Sequence, residues 1–171
     1  GMEVYSGHIK AISNLCNYSV GGYYESYNYA VGSQGSREPG STFKLASMIA
    51  LLEDSHLELY DSIDTGNGSF KFFNETMRDH KKGGFGTLSI QEIFEKSSNI
   101  GIAKLIQNHF GKNPQKFIDQ LRAMGLYEPL GFQMYGEGKS YIKTPKDSTW
   151  SGTSLPWISH GYELKMTPLH T

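Results

Sequence analysis

Apolar residues recur at helical spacing over much of the chain. Leu45-Ala46-Ser47-Met48-Ile49-Ala50-Leu51-Leu52 is apolar around most of its circumference, which predicts a helix from Thr42 to about Ser55 at the centre of the core. Ile90, Ile93 and Phe94 predict a second helix ending at Lys96, with Thr87 or Ser89 as its cap. Ser97-Ser98-Asn99 ends it, and Ile102, Leu105, Ile106 and Phe110 mark a third. Asn113-Pro114 reads as a start, with Asn as cap and Pro at the first helical position, for a helix that uses Phe117, Ile118, Leu121 and Met124 and stops at Gly125.

Strand signals are fewer. Residues 2–5 and 8–13 alternate around Ser6-Gly7 and predict a short hairpin with Val4, Ile9 and Ala11 on its buried side. Gly66-Asn67-Gly68 turns the chain into a short strand from Ser69 to Phe73. Between them, Asn14 to Glu38 is polar and carries Tyr18, Tyr23, Tyr24, Tyr27 and Tyr29, a long loop that either lines a site or is a mobile surface excursion. The chain after Leu126 reads as loop-rich, with Pro129, Pro145 and Pro156. The pattern as a whole is α+β and mostly helical: a hairpin at 1–13, a helical core at 42–125 and a loop-rich segment at 126–171.

A length of 171 residues suits one domain with a real core. A net charge of −1 with scattered Lys and Arg argues against nucleic acid or an anionic membrane as the main partner. The basic cluster Arg78, His80, Lys81 and Lys82 is interrupted by Asp79 and reads as a solvated loop, with Asp79 and His80 as a hydrogen-bonding pair within it. Cys16 is the only cysteine, so no internal disulfide forms, and the six histidines show no ligand spacing, so neither metal nor other cofactor is expected. No apolar run is long enough to span a bilayer, and Gly1-Met2 ahead of strand-like sequence reads as a cloning remnant before an excised segment.

The candidate chemistry lies at Glu38-Pro39-Gly40-Ser41-Thr42-Phe43-Lys44. Residues i and i+3 share a helix face, so Lys44 is placed to take the proton of the Ser41 hydroxyl, and a helix N-terminus suits the oxyanion of acyl transfer. A second Ser-x-x-Lys, Ser140 to Lys143, lies among Gly and Pro with no helix after it and is set aside. Ser97-Ser98-Asn99 supplies polar partners between two helical patterns, whereas Ser26-Tyr27-Asn28 precedes the nucleophile in the tyrosine-rich loop and reads as a turn. Taken singly, each residue has a plain structural role: Ser41 as a helix cap, Lys44 as an amphipathic surface residue, Asn99 as a helix end.

Ser41-Thr42-Phe43-Lys44 followed by Ser97-Ser98-Asn99 resembles the transpeptidase domain of penicillin-binding proteins, whose motifs are Ser-x-x-Lys, a Ser-x-Asn type and Lys-Thr-Gly. With Gly161-Tyr162-Glu163-Leu164-Lys165-Met166-Thr167-Pro168-Leu169, the likeness is to the class B enzymes of elongation and division and spans residues 1–171. The third motif does not occur: Lys143-Thr144-Pro145 precedes the segment after which the family carries it, and has proline for the glycine. The resemblance implies the helical subdomain of the penicillin-binding protein and serine β-lactamase fold, without the later sheet strands. It implies Ser41 as nucleophile, Lys44 as general base with a pKa lowered by burial and nearby positive charge, Ser97 as proton relay and Asn99 as a hydrogen-bonding partner of substrate and lysine. It also implies peptidoglycan stem peptides, β-lactam antibiotics and cell-wall or division proteins as partners, and an extracytoplasmic or periplasmic place held by a membrane anchor. The rivals are a serine β-lactamase, which needs a deacylating water that no glutamate here is placed to activate; a β-lactam sensor; and a non-catalytic interaction domain. Asn99 at the last position of the second motif argues against the first two.

Overall fold

The apolar run after Lys44 folds as helix α1 (Lys44–Asp54), which buries Lys44, Ser47, Met48, Ala50 and Leu51 in a computed structural model describing residues 1–18, 21–131 and 136–171. A short 3-10 turn, Gly40–Phe43, leads into it, so Ser41 precedes the helix proper. α2 (Ile90–Glu95) starts at Ser89 with a reciprocal capping box: the Ser89 side chain accepts from the Glu92 N–H and the Glu92 carboxylate accepts from the Ser89 N–H. α3 (Asn99–Phe110) and α4 (Pro114–Ala123) pack against α1 and against each other. Their contact buries Leu51, Ile106, Phe110, Phe117, Ile118 and Leu121 fully, the large apolar surface that holds the domain together.

The helices form where expected, with differences at their ends: Thr42 lies in the 3-10 turn and α1 starts only at Lys44. Asn113 contributes no side-chain cap to α4, although Pro114 does occupy the first turn. Asn99 does not end a helix; Ser98 caps α3 and Asn99 is its first residue.

The described strands form four separate antiparallel pairs: β1 (Cys16–Tyr18) with β2 (Gly22–Tyr24), β3 (Ser62–Asp64) with β6 (Thr87–Ser89), β4 (Ser69–Phe72) with β5 (Glu75–Arg78), and β7 (Tyr141–Ile142) with β8 (Leu164–Lys165). The first pair lies inside the stretch read as a loop. The expected hairpin at 1–13 is reduced to one bridge, Met2 to Ile9, and of its intended inner face only Ile9 is half-buried, while Val4, 89% exposed, and Ala11 stay in water. Alternation without an opposing apolar surface gives those side chains nothing to pack against. The segment read as loop-rich carries β7, β8 and α5 (Ser154–Ile158), with Leu155, Ile158, Leu164 and Met166 in the core. Each of these elements is too short for periodicity to reveal. No helix among the described residues is long and apolar enough to cross a membrane.

Candidate active site

Lys44 is the hub. Its side chain is 2% exposed, and its Nζ donates to the Ser97 carbonyl at 2.6 Å, the Ser97 Oγ at 3.0 Å and the Asn99 Oδ1 at 2.6 Å. An ammonium has three protons, so all three are engaged. A surface role for this lysine is therefore excluded. Burial lowers its pKa from the usual lysine range to about 8, while the Asp79 carboxylate pulls the other way. The expected contribution from nearby positive charge is corrected here: the charge acting on Lys44 is negative and favours the ammonium.

Ser41 stands one turn earlier in the opposite condition. It is exposed, and its hydroxyl makes no hydrogen bond among the described residues. It caps neither the 3-10 turn, whose N-cap is Pro39, nor α1, whose N-cap is Phe43. The expected contact with Lys44 is not made, because the lysine's donors are spent on Ser97 and Asn99. The Thr42 hydroxyl donates to the Pro39 carbonyl at 2.9 Å and tightens the turn that presents Ser41.

The Ser97–Asn99 segment is shaped by its backbone. Ser97 has φ +51°, a left-handed conformation that costs a non-glycine residue roughly 1 kcal/mol or more. In that conformation its carbonyl and its hydroxyl both meet the lysine. Asn99 spends Oδ1 on Lys44 and one Nδ2 proton on the Arg78 carbonyl at 2.9 Å, leaving one amide proton for another acceptor. Ser98 is fully buried; its Oγ accepts from the Gly101 N–H and donates to the Asp79 Oδ2 at 2.9 Å. Asp79 Oδ1 accepts from the Ile100 N–H at 3.1 Å.

Asp79 was missed as a site element and assigned to His80. It turns inward instead, and His80 meets Phe85 edge to face at 5.5 Å between ring centres. The end of β5, carrying Arg78 and Asp79, therefore fixes the second motif, a tertiary arrangement that no spacing between positions 79 and 99 could announce.

A second clasp surrounds Ser41. Arg37 and Met166 exchange backbone hydrogen bonds at 2.9 Å, the Gly40 N–H donates to the Gly161 carbonyl at 3.1 Å, and the Glu163 N–H donates to the Glu38 Oε1 at 3.0 Å. The backbones of Gly40 and Gly161 approach so closely that a Cβ on Gly161 would lie 2.1 Å from the Gly40 carbonyl oxygen. Below them the Ser47 hydroxyl donates to the Ser159 carbonyl at 2.8 Å. His160 is buried, donates from Nδ1 to the Pro156 carbonyl at 2.9 Å and lies between Trp157 and Tyr162. Burial, opposed by that hydrogen bond, lowers its pKa to about 4, so it is neutral near pH 7.

Neither motif copy set aside from the sequence joins the Lys44 hub, although Lys143 reaches Glu163 of the clasp. Lys143 pairs with Glu163 at 2.7 Å, and Asn28 accepts from the Asn14 amide at 2.8 Å. Of the tyrosines, Tyr27 and Tyr29 stack on each other, and Tyr23 is exposed. A cavity of about 630 Å³ lies at the far end of α1, around Asp54, Leu57, Ile63 and His109, and touches none of the four candidate residues.

The site thus joins a left-handed Ser97 backbone, a buried Lys44 shared by Ser97 and Asn99, and an unbonded Ser41 hydroxyl in the turn that leads into the same helix. A sequence model of the family described as "Penicillin binding protein transpeptidase domain" matches residues 2–171. The chain belongs to that family. It is 30% identical over 132 residues to penicillin-binding protein PbpB of Mycobacterium tuberculosis, covering 77% of this chain and 19% of that protein. It is 27% identical over 172 residues to peptidoglycan D,D-transpeptidase FtsI of Buchnera aphidicola, covering 98% of this chain and 28% of that protein. A crystal structure of penicillin binding protein 3 from Mycobacterium tuberculosis complexed with aztreonam superposes with a TM-score of 0.71 at 28% identity, over 84% of this chain and 30% of that one. The chain thus spans less than a third of the length of these relatives, and the α+β, mostly helical reading is that of a partial penicillin-binding protein fold.

Proposed function

We propose that this chain carries the acylation centre of a peptidoglycan D,D-transpeptidase that β-lactams acylate at Ser41. The observation that carries the reading is the buried Lys44 Nζ held by both Ser97 and Asn99, one turn after the unbonded hydroxyl of Ser41. Lys44, once it has given up a proton, accepts the proton of the Ser41 hydroxyl as Oγ attacks the carbonyl carbon between two D-alanines of a stem peptide. The carbon–nitrogen bond breaks, and Ser97 passes a proton to the leaving amine. The remaining amide proton of Asn99 is available to the substrate carbonyl. An amine of a second stem peptide then takes the acyl group and forms the crosslink. A pKa near 8 suits this role, because an appreciable share of the lysine is then free base near neutral pH.

The relatives named for penicillin binding, and the one solved with aztreonam, support β-lactams as ligands and a place outside the cytoplasm among cell-wall proteins. The 171 residues contain no Lys-Thr-Gly, the strand from which the family draws its second oxyanion donor. By itself this polypeptide is therefore inactive or nearly so, since one lost oxyanion donor alone costs about 10²–10³-fold in rate and the strand also carries a cation and the wall that orients substrate. Intact-mass measurement with a labelled penicillin tests both statements. Slow labelling confined to Ser41 and abolished in Ser41→Ala is the expected result; rapid stoichiometric labelling overturns the half-formed oxyanion hole, and no labelling even with the strand present overturns the acyl-serine reading. Many turnovers of a chromogenic cephalosporin would make it a β-lactamase instead.

A further inference from the structure

Asp79 and the lysine hub are joined by more than proximity. The carboxylate is 9% exposed, it takes the Ser98 hydroxyl at 2.9 Å and the Ile100 N–H at 3.1 Å, and those two residues flank Asn99. The residue before it, Arg78, gives its carbonyl to the Asn99 amide. One strand end therefore grips the second motif and the residue after it at three points, at Ser98, Asn99 and Ile100, while Lys44 bonds Ser97 and the oxygen of the same Asn99 amide. Ser98 cannot supply this by itself, since its hydroxyl has only one proton to donate and serves the Gly101 N–H as an acceptor.

We infer that Asp79 is a positioning residue: it locks Ser97 and Asn99 into the geometry that receives Lys44, and it is the countercharge of the buried ammonium. The inference builds on the reading of Lys44 as the base, and its consequence is a site that rests with the proton on the lysine. The charged and titratable groups acting on Lys44 from the packed elements are Asp79 at the end of β5 and His160 after α5, and His160 is neutral near pH 7. Ser97 and Asn99, from the α2–α3 junction and α3, are uncharged. Asp79 is the one acidic group among the described residues that acts on Lys44, so removing its charge must lower the proton affinity of Lys44.

The test needs no substrate, so it is separate from the question of whether Ser41 acylates. The Lys44 side chain is followed by ¹³Cε NMR through a pH titration of the 171-residue chain, in wild type, Asp79→Asn and Ser98→Ala. Asp79→Asn keeps an acceptor oxygen and the volume but drops the charge, and the Lys44 midpoint is expected to fall by about one pH unit. Ser98→Ala keeps the charge and breaks one tie, so the midpoint is expected to stay within about 0.3 unit while the Ile100 and Gly101 amides exchange faster. An unmoved midpoint in Asp79→Asn overturns the countercharge, and an equal fall in Ser98→Ala overturns it too, since packing alone would then set the lysine. Unchanged amide exchange in both variants overturns the positioning role. Should Asp79→Asn fail to fold, a fall of about one pH unit in Ser98→Ala overturns the countercharge by itself, and unchanged amide exchange in Ser98→Ala overturns the positioning role.

Discussion

Two serine segments meet at Lys44, and they are built on opposite principles. In the Ser97–Asn99 segment each side chain is held by at least one partner: Ser97 by the lysine, Ser98 by Asp79 and Gly101, Asn99 by Lys44 and Arg78. The Ser41 segment is gripped only through its flanks, by Gly161, Glu163 and Met166, and its hydroxyl is left open. In the proposed mechanism Ser41 must move onto a carbonyl carbon and gains nothing from a ground-state hydrogen bond, whereas the groups proposed to receive its proton gain from being fixed beforehand. Rigidity is thus concentrated on one side of the site and freedom on the other.

The largest test of this contrast removes the junction. In Lys44→Met the Ser97 carbonyl and the Asn99 oxygen lose their shared donor, and acylation of Ser41 by a labelled penicillin should fall by roughly 10²–10⁴-fold. In wild type the same rate should climb as pH rises through about 8, where the lysine loses its proton. A flat profile across that range would detach Lys44 from proton transfer.

Much of this was legible in the sequence because the motif residues sit at the ends of long helices. The apolar face of α1 comes from local periodicity, whereas the pairing of Ser41 and Lys44 with Ser97 and Asn99 is read from the order of motifs that resembles the family. The partners of those motifs were not legible. Asp79 reads as a loop acid beside a histidine until β5 carries it beneath α3, and His160 and Gly161 read as loop until the clasp on Gly40 is seen. The 1–13 alternation fails for the converse reason: a local pattern with no tertiary surface to bury it remains exposed.

The flank side can be sharpened through His160. Its folded pKa, about 4, lies below the ordinary histidine value of 6.5, so between those pH values the unfolded chain binds more protons. Stability is therefore intact above pH 6.5 and falls as pH drops toward 4, by on the order of 3 kcal/mol in total. Asp54, Glu92 and Asp147, whose carboxyls are held below their usual range first by hydrogen bonds from Lys116, Lys96 and the Thr144 N–H respectively, lose their contribution at lower pH. Urea unfolding of His160→Phe at pH 6.5 and pH 4.5 should show a much smaller difference than wild type; an equal difference would place the acid sensitivity elsewhere.

A somewhat smaller effect is expected at Gly161. Its φ of +90° and the 2.1 Å approach of a Cβ to the Gly40 oxygen leave alanine no unstrained position. Gly161→Ala should cost about 2 kcal/mol and slow Ser41 acylation, because the displaced backbone is the one that carries the nucleophile. A loss of stability with an unchanged acylation rate would mean that the clasp supports the fold without aiming the serine.

The smallest change probes the other side. Ser89 starts α2 through its capping box, and α2 ends immediately before Ser97. Ser89→Ala removes one side of that box and should lower stability by about 1 kcal/mol, read as a shift of the urea midpoint with an unchanged slope. It should leave the Lys44 titration where it was, because Asp79 and Arg78 hold Ser98 and Asn99 from strand β5 and not through α2. A titration that moves with Ser89 would show the second motif to be carried by its preceding helix, and the contrast between a fixed segment and a free one would then rest on α2 instead of on Asp79.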